Sequence, residues 1–158
     1  MKTRSLLRNA DLASAGSVSV RAANVVIVED EFLVALQLED ILTDQGYKVV
    51  ATVPDLAAAC ALAQPADIAL VDLNLRDGPT GTEIARLLSE RFNARIIYVT
   101  ASCGQIGTPA RTAVGVVHKP FSREIIEAAV AYALDGGSSM ARPRELQALE
   151  GQELRLMA

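Results

Sequence analysis

The sequence contains no tryptophan, and Phe and Tyr supply an aromatic content of only 4%. A buried core must therefore be built from Ala, Val, Leu and Ile. The chain also lacks any run approaching the roughly 20 apolar residues of a membrane-spanning helix, so we expect no membrane association. Near the N-terminus, Leu6-Leu7 is far shorter than the apolar stretch of about 7–15 residues in a secretory signal.

Cysteine is also scarce. Cys60 and Cys103 lie far apart, and neither belongs to a C-x-x-C pair. Two cysteines in a chain of this length do not form a disulfide framework. We therefore predict a reducing, cytoplasmic location.

Charge is distributed unevenly along the chain. Residues 24–135 hold 8 basic and 15 acidic side chains, whereas the whole chain has a formal net charge of −4. Binding to nucleic acid depends on Lys and Arg that neutralise phosphates. The acidic central region therefore argues against a nucleic-acid partner and is more typical of a metal site or an acidic recognition surface.

Composition also predicts the domain boundaries. Residues 1–23 are small, polar or basic without a sustained period, which predicts a flexible N-terminal extension. Residues 136–158 begin with Gly and Ser and are predicted to be a linker and tail, in which Leu146, Leu149, Leu154 and Leu156 are able to pack on the domain or on a partner. We expect residues 24–135 to form one domain and the tail to be too short for an output domain.

Within residues 24–135, apolar β-branched runs alternate with amphipathic segments. The predicted strands are Asn24–Glu29, Tyr47–Val53, Asp67–Leu73, Arg95–Ala101 and Val114–His118. The predicted helices are Glu31–Gln45, Pro54–Ala63, Thr82–Phe92 and a last helix capped by Ser122. We expect inward stripes of Val34, Leu38, Ile41 and Leu42 in the first helix, and of Ile126, Ala129, Val130, Ala133 and Leu134 in the last.

This alternation predicts an α/β fold, a doubly wound five-stranded parallel sheet with helices on both faces. The segment Ser102–Ala113 departs from the pattern, because Gly104, Gly107 and Pro109 interrupt any helical register. We therefore expect an irregular loop or a shortened helix where the alternation would place a fourth helix.

Polar residues stand at the predicted carboxyl ends of the strands, where open parallel sheets bind ligands. Glu29 and Asp30 follow the first strand, and Asp72 ends the third. Thr100 ends the fourth strand and Lys119 follows the fifth. Clustered carboxylates are unfavourable without a cation, and their hard oxygens suit Mg²⁺.

Each residue also has an ordinary structural interpretation. Acidic residues are common at a helix N-terminus, where Asp30 would be the cap, and an Asp after a strand often forms a turn. His118 is interpreted as an exposed residue at a strand end. Taken together, however, these residues favour a functional site over separate structural roles. A cation bound by Asp30 and Asp72 would shield the charge of a phosphoryl group that Thr100 and Lys119 bind.

Four segments of the chain resemble the receiver domain of two-component response regulators. They are VVIVEDE (25–31), ALVDLNLRDGPTG (69–81), IIYVTA (96–101) and HKPF (118–121). The resemblance covers about residues 24–135 and implies the flavodoxin-like fold. It is closest to a divergent, stand-alone branch of that family.

The resemblance implies a role for each site residue. Asp72 would be the phosphoacceptor, Thr100 the switch hydroxyl and Lys119 the phosphate partner, with a cis Lys119–Pro120 bond. The Mg²⁺ ligands would be Asp30, Asp72, the backbone carbonyl of Asn74 and, through water, Glu29.

One departure from the family concerns the residues that usually change position when a receiver is phosphorylated. Receivers usually carry an aromatic residue three positions before the lysine, and this chain has Val116 there. The usual coupled movement of threonine and aromatic ring is therefore unavailable. The irregular fourth helix is a second departure.

The leading hypothesis is a single-domain response regulator that accepts a phosphoryl group from a sensor histidine kinase or phosphotransfer protein. It would take part in its own phosphorylation and dephosphorylation without being an enzyme, and it would signal through a downstream protein target. One alternative is a binding module that works without phosphorylation. The other alternative is a small phosphohydrolase with an Asp nucleophile, although such enzymes usually have an acidic residue where this chain has Asn74. The sequence leaves homodimerisation open.

Overall fold

The structure is a computed structural model that describes residues 21–149. The elements run in the order β1 (Asn24–Val28), α1 (Phe32–Asp44), β2 (Lys48–Val53), α2 (Leu56–Cys60), β3 (Ile68–Val71), α3 (Gly81–Phe92), β4 (Arg95–Thr100), β5 (Ala113–His118) and α4 (Arg123–Asp135). A short 3₁₀ turn, Cys103–Gln105, lies between β4 and β5.

All five strands are parallel and form one sheet in the order β2-β1-β3-β4-β5. This is the flavodoxin-like order, in which the direction of winding changes between β1 and β3. The prediction of a doubly wound α/β fold is therefore confirmed. The change of direction opens a crevice at the carboxyl ends of these two strands.

Two apolar cores lie on opposite faces of the sheet. Successive strand residues point to alternate faces, so Val25 and Ile27 pack with α1 and α4, whereas Val26 and Val28 pack with α2 and α3. Tyr98 is the one aromatic residue among the largest fully buried side chains of the described region, and its hydroxyl accepts a hydrogen bond from Ala110 N at 3.0 Å. As predicted, the rest of the core is aliphatic.

Two predicted helix faces need correction. Leu134 was expected to point inward, but it is 38% exposed. Each residue turns a helix by about 100°, which places Leu134 at the flank of the buried stripe that Val130 and Ala133 continue. In α1, Val34 is only half-buried, and Ala35 packs in the core in its place.

The second helix is also shorter than predicted, since α2 ends at Cys60 rather than Ala63. The hydrogen bonding changes just after Cys60, because Ala61 N still donates to Ala57 O but Leu62 N donates to Ala59 O, a three-residue spacing typical of the last turn of a helix. Asp55 caps the start of α2, and its carboxylate accepts a hydrogen bond from Ala58 N at 2.8 Å. Ser122 caps α4 as predicted, with Ile125 N donating to its hydroxyl.

The expected irregularity between β4 and β5 is present. In place of a fourth crossover helix, the chain makes only the 3₁₀ turn at Cys103–Gln105 and continues as a loop to β5. Gly107 in this loop has a φ of +62°, a left-handed value that other residues adopt rarely.

Beyond α4, the chain folds back onto the domain. Residues 142–149, here called the C-terminal strap, lie along the outer edge of β5, and Leu146 and Leu149 are buried. The other two leucines of the predicted tail, Leu154 and Leu156, lie outside the described residues, as does most of the predicted N-terminal extension. Within residues 21–149, no helix is long and apolar enough to cross a membrane.

Candidate functional site

Asp72 lies in the crevice, immediately after the last residue of β3. Its backbone N–H donates to Val28 O at 2.9 Å, which ties it to the end of β1. Its side chain is largely buried, and Oδ1 accepts a hydrogen bond from Leu73 N at 2.8 Å. These bonds fix the position of the carboxylate.

Two further carboxylates come from the residues that follow β1. Glu29 is 3% exposed, and its Oε1 accepts a hydrogen bond from Glu31 N at 3.0 Å. Asp30 is exposed. Ligand oxygens of Glu29, Asp30 and Asp72 all lie within 4.8 Å of one another. The structure therefore brings together the three acidic residues that the sequence predicted to meet.

Lys119 reaches this cluster from the end of β5. Its Nζ donates to Glu29 Oε2 at 2.6 Å and to Asp72 Oδ2 at 2.9 Å. The ammonium group thus offsets part of the negative charge that the fold concentrates here. The Lys119–Pro120 peptide bond is cis, in agreement with what the sequence resemblance implies.

The local environment shifts the protonation of two of these groups. Burial raises the pKa of Glu29, against the opposing effect of hydrogen bonds from Lys119 and the Glu31 amide. Desolvation by itself lowers the pKa of Lys119, but the bonds to Glu29 and Asp72 outweigh it, so the pKa is raised. Lys119 is therefore held in its charged form, which is the form able to bind an anion.

Thr100 is fully buried at the end of β4, beside β5 in the sheet. Its Oγ1 accepts a hydrogen bond from Ser102 N at 3.1 Å, and its backbone carbonyl accepts one from Lys119 N, also at 3.1 Å. Asn74 is exposed in the loop after β3, two residues beyond Asp72. Both residues thus lie in segments that adjoin the acidic cluster.

Sequence reasoning missed the importance of Gly81. A Cβ built at this position would lie 2.0 Å from the backbone oxygen of Asp72. Gly81 N also donates to Leu73 O at 3.1 Å, so the start of α3 is held against the residue that follows Asp72. The available signal was a glycine directly before a helix, which marks a close backbone approach as readily as a turn.

The loop that follows Asp72 is held in place by a polar network. Asp55 forms an ion pair with Arg76. Asp77 accepts hydrogen bonds from Leu56 N at 3.0 Å and from Thr80 Oγ1 at 2.5 Å. The network joins the start of α2 to the β3–α3 loop, and no motif in the sequence indicated it.

His118 is exposed, as expected, but it has contacts. Its Nδ1 lies 3.1 Å from Cys103 Sγ, and its Nε2 lies 2.8 Å from Gln147 Oε1. Val116, which stands where receivers usually have an aromatic residue, is 3% exposed and faces the core.

Comparison with known proteins agrees with this geometry. The response regulator receiver domain family matches residues 25–131, well over half of the chain. The chain belongs to this family. The matched segment runs from β1 into α4 and so includes all five strands of the sheet. Receiver domains of this family take part in signalling by accepting a phosphoryl group.

Two relatives show how far the similarity to this receiver domain extends. The phyllosphere-induced regulator PhyR of Methylorubrum extorquens is 28% identical over 117 residues, covering 72% of this chain and 44% of PhyR. The transcriptional regulatory protein PdtaR of Mycobacterium tuberculosis is 31% identical over 135 residues, covering 81% of this chain and 62% of PdtaR. The chain therefore spans about half the length of these relatives.

Solved structures give the same result. The solution structure of the Erythrobacter litoralis PhyR response regulator REC domain matches with a TM-score of 0.65 and 28% identity, covering 76% of this chain and 95% of that one. The Brucella abortus response regulator PhyR matches with a TM-score of 0.66 and 26% identity, covering 75% of this chain and 50% of that one.

Proposed function

We propose that Asp72 of this receiver domain accepts a phosphoryl group from a sensor histidine kinase or a phosphotransfer protein, and that the phosphorylated domain signals to a downstream protein target. The observation that carries the proposal is the position of Lys119, whose ammonium lies 2.9 Å from Asp72 Oδ2 within a buried acidic cluster. A buried carboxylate with an adjacent cation is a positioned nucleophile beside an anion-binding group.

We also propose that the reaction depends on Mg²⁺. The donor set fits this ion, because ligand oxygens of Glu29, Asp30 and Asp72 lie within 4.8 Å of one another and are hard ligands. Asp30 and Asp72 would bind directly, Glu29 through water, and Asn74 through its backbone carbonyl. When bound, the ion supplies charge neutralisation at the incoming phosphoryl oxygens.

The proposed transfer is a single displacement at phosphorus. An oxygen of the Asp72 carboxylate forms a bond to phosphorus while the bond from phosphorus to the donor's histidine nitrogen breaks. The electron pair of the broken bond stays on that nitrogen, which takes up a proton from water. Lys119, and Thr100 through its hydroxyl, would bind phosphoryl oxygens, which carry the charge in such a transition state.

A protein donor has an apolar surface available beside the site. Phe32 is 74% exposed and Leu33 is 71% exposed, and both follow the acidic residues at the start of α1. Leu36, one turn further along the helix, is also exposed. Clustered exposed apolar side chains favour protein–protein contact. We propose that the donor docks there, in the cytoplasm, where Cys60 and Cys103 would remain free thiols.

Intact-mass spectrometry tests the proposal. We expect Mg²⁺ and a small phosphodonor such as acetyl phosphate to add one phosphoryl group to the wild-type chain. Asp72→Asn and excess EDTA should each abolish the addition. A matched control is Asp40→Asn, because Asp40 is an exposed carboxylate on α1 outside the cluster. Equal labelling of Asp72→Asn and wild type would rule out Asp72 as the acceptor.

A second candidate is a receiver-like binding module that works without phosphorylation. The buried Val116 favours it, since the aromatic residue that usually moves on phosphorylation is missing. This candidate predicts that wild type and Asp72→Ala bind the downstream target equally, with or without the phosphodonor. A difference between them would favour the phosphorylation-dependent role.

A further inference from the structure

The loop that follows Asp72 closes on itself in a tight turn at residues 75–78. Leu75 N donates to Gly78 O at 2.9 Å, and Gly78 N donates to Leu75 O at 3.0 Å. Gly78 has a φ of +113°, a value that residues with a side chain adopt rarely. The turn begins directly after Asn74, whose backbone carbonyl is one of the proposed Mg²⁺ ligands.

This turn orients the carbonyl group of Asn74. The Asn74 oxygen and the Leu75 N–H belong to one trans peptide group, in which the C=O and N–H bonds point in opposite directions. The bond from Leu75 N to Gly78 O therefore directs the Asn74 oxygen away from Gly78. On the other side, Leu73 O accepts a hydrogen bond from Gly81 N at 3.1 Å. The peptide that carries the Asn74 oxygen is thus held from both directions.

Arg76, one of the two central residues of the turn, binds the start of α2. Its Nε donates to Asp55 Oδ2 at 2.8 Å, and its Nη2 forms an ion pair with the same oxygen. Asp55 Oδ1 accepts a hydrogen bond from Ala58 N, which caps α2. The Asp55 carboxylate therefore uses one oxygen for the helix and the other for the turn. Because the helix fixes its orientation, Asp55 is a rigid partner for Arg76.

Asp77, the other central residue, also binds the start of α2. Its Oδ2 accepts a hydrogen bond at 3.0 Å from the N–H of Leu56, the first residue of that helix. The N–H groups of a first helical turn have no partner within the helix, so this bond satisfies one of them. Asp77 Oδ1 accepts a hydrogen bond from Thr80 Oγ1. Both central side chains of the turn are thus attached to α2.

The charge of Arg76 separates its position from its electrostatic effect. Arg76 is a cation four residues after Asp72, so its charge repels a second cation at the acidic cluster. The side chain is 61% exposed, and solvent screens that repulsion without reversing its sign. Any favourable effect of Arg76 on cation binding must therefore act through the position of the turn.

We propose that Arg76 and Asp77 are positioning residues for the cation site, and that the start of α2 is the support against which they hold the Asn74 carbonyl. Neither side chain would touch the ion. Without these contacts the turn at residues 75–78 is free to move, and the Asn74 oxygen moves with it. The inference deepens the proposed function and rests on it, since it requires Mg²⁺ to bind at the acidic cluster.

Calorimetric titration of the full chain with MgCl₂, without a phosphodonor, tests the proposal. We expect Arg76→Met to weaken Mg²⁺ binding by at least about tenfold, the usual effect of losing a residue that supports a metal ligand. An effect of charge alone would strengthen binding, because the substitution removes a cation. Arg76→Lys should retain most of the affinity, since its ammonium is able to pair with Asp55.

Arg91→Met is the matched control for the loss of an arginine. Arg91 Nη1 donates to Cys60 O at 3.2 Å, at the opposite end of α2 from Asp55. The substitution removes the same charge and also frees a contact to α2, but it leaves the turn at residues 75–78 unchanged. Its affinity for Mg²⁺ should not fall. An equal fall in Arg91→Met and Arg76→Met would overturn the proposal.

Gly78→Ala disturbs the turn without changing any charge. An alanine at a φ of +113° is strained, so we expect weaker Mg²⁺ binding. Gly46→Ala is the control, because Gly46 has a φ of +84° but follows α1, outside the loop. It should lower stability in urea and leave the Mg²⁺ affinity unchanged. A similar loss of affinity in both variants would assign the effect to general destabilisation and overturn the proposal.

Hydrogen–deuterium exchange without Mg²⁺ measures the turn itself. The amides of Leu75 and Gly78 should exchange faster in Arg76→Met than in wild type, whereas those of β1 should not change. Unchanged exchange at the turn, or undiminished Mg²⁺ binding by Arg76→Met, would overturn the inference and leave the proposed function standing. An absence of Mg²⁺ binding by the wild type would overturn the proposed Mg²⁺ dependence, and this inference with it. Circular dichroism confirms that each variant is folded.

Discussion

The ammonium group of Lys119 lies between two carboxylates, 2.6 Å from Glu29 Oε2 and 2.9 Å from Asp72 Oδ2. The three residues follow β5, β1 and β3, so this one group joins three strand ends. The Glu29 side chain is 2% exposed and that of Lys119 is 18% exposed, which separates the contact from an ordinary surface ion pair. Removing the ammonium would leave buried negative charge without a partner.

We expect Lys119→Met to lower the free energy of unfolding at pH 7 by about 3 kcal/mol, the typical cost of breaking a buried ion pair. The loss should shrink in acid. Burial already raises the pKa of Glu29, and losing the Lys119 hydrogen bond raises it further, so the penalty is absent at low pH and appears as Glu29 ionises with rising pH. Urea unfolding at pH 4 and pH 7 measures both effects.

Arg123→Met is the control for that experiment. Arg123 pairs with Asp44 at 3.1 Å, but the two side chains are largely solvent-exposed, and such pairs contribute about 0–1 kcal/mol. A Lys119→Met variant no less stable than this control would contradict the buried-pair interpretation.

Mg²⁺ should stabilise the wild-type chain through the acidic cluster. A ligand that binds only the folded state adds about 2.7 kcal/mol at one hundred times its dissociation constant. We expect Asp30→Asn to lose most of this gain in a thermal unfolding titration with MgCl₂, since Asp30 is the exposed member of the cluster. Asp40→Asn should retain it. Equal losses in the two variants would mean that the ion screens surface charge without binding this site.

Gly81→Ala should destabilise the domain by at least about 2 kcal/mol, a typical cost of overpacking. Its methyl group would lie 2.0 Å from the backbone oxygen of Asp72, so the end of β3 or the start of α3 must move. Gly104→Ala, which adds the same group in open space, should change stability little. Urea unfolding measures stability, and intact mass then shows whether the displaced Asp72 is still phosphorylated. Wild-type stability in Gly81→Ala would show that the β3–α3 turn adapts.

The sequence predicted the sheet well, because buried parallel strands are short β-branched runs that leave a clear pattern. It also predicted that Glu29, Asp30, Asp72 and Lys119 would meet, since the carboxyl ends of parallel strands share one edge. This prediction needed only the position of each residue at a strand end. The side-chain roles proposed for these residues stay predictions until the phosphorylation experiment is done.

Other features depended on tertiary contacts that have no local pattern. The strap pairs residues 116 and 147 through backbone groups, and backbone groups carry no sequence signature. Gly115 is another such feature, because a Cβ there would lie 2.7 Å from Gln147 O of the strap, and nothing in the neighbouring sequence indicates that contact. Leu134 was predicted to be buried because periodicity identifies an apolar stripe but does not fix its edges.

Thr100→Val should test the hydroxyl separately from the shape of the side chain. The variant keeps the β-branched form but removes the acceptor for Ser102 N, so we expect a loss of about 1–3 kcal/mol from the unpaired amide. Thr100→Ser keeps the acceptor and should lose less. The two variants are compared by urea unfolding, and an equal loss in both would assign the cost to packing. Phosphoryl addition from the small donor should be slower in Thr100→Val than in Thr100→Ser, because only the serine keeps a hydroxyl able to bind a phosphoryl oxygen.

Asp55 should contribute to acid sensitivity. The hydrogen bond from Ala58 N, followed by that from Arg76, lowers the pKa of Asp55 below its ordinary value of 3.8. A carboxyl group with a lowered pKa stabilises the fold above pH 3.8 and loses that contribution as the pH falls through the lowered value. Asp55→Asn keeps a good cap but has no charge to titrate, so its free energy of unfolding should fall less steeply between about pH 5 and pH 2. Urea unfolding across this pH range checks the prediction, with Asp40→Asn as the control. If the free energy of unfolding of wild type and Asp55→Asn fell equally with pH, the contact between α2 and the β3–α3 loop would not depend on the charge of Asp55.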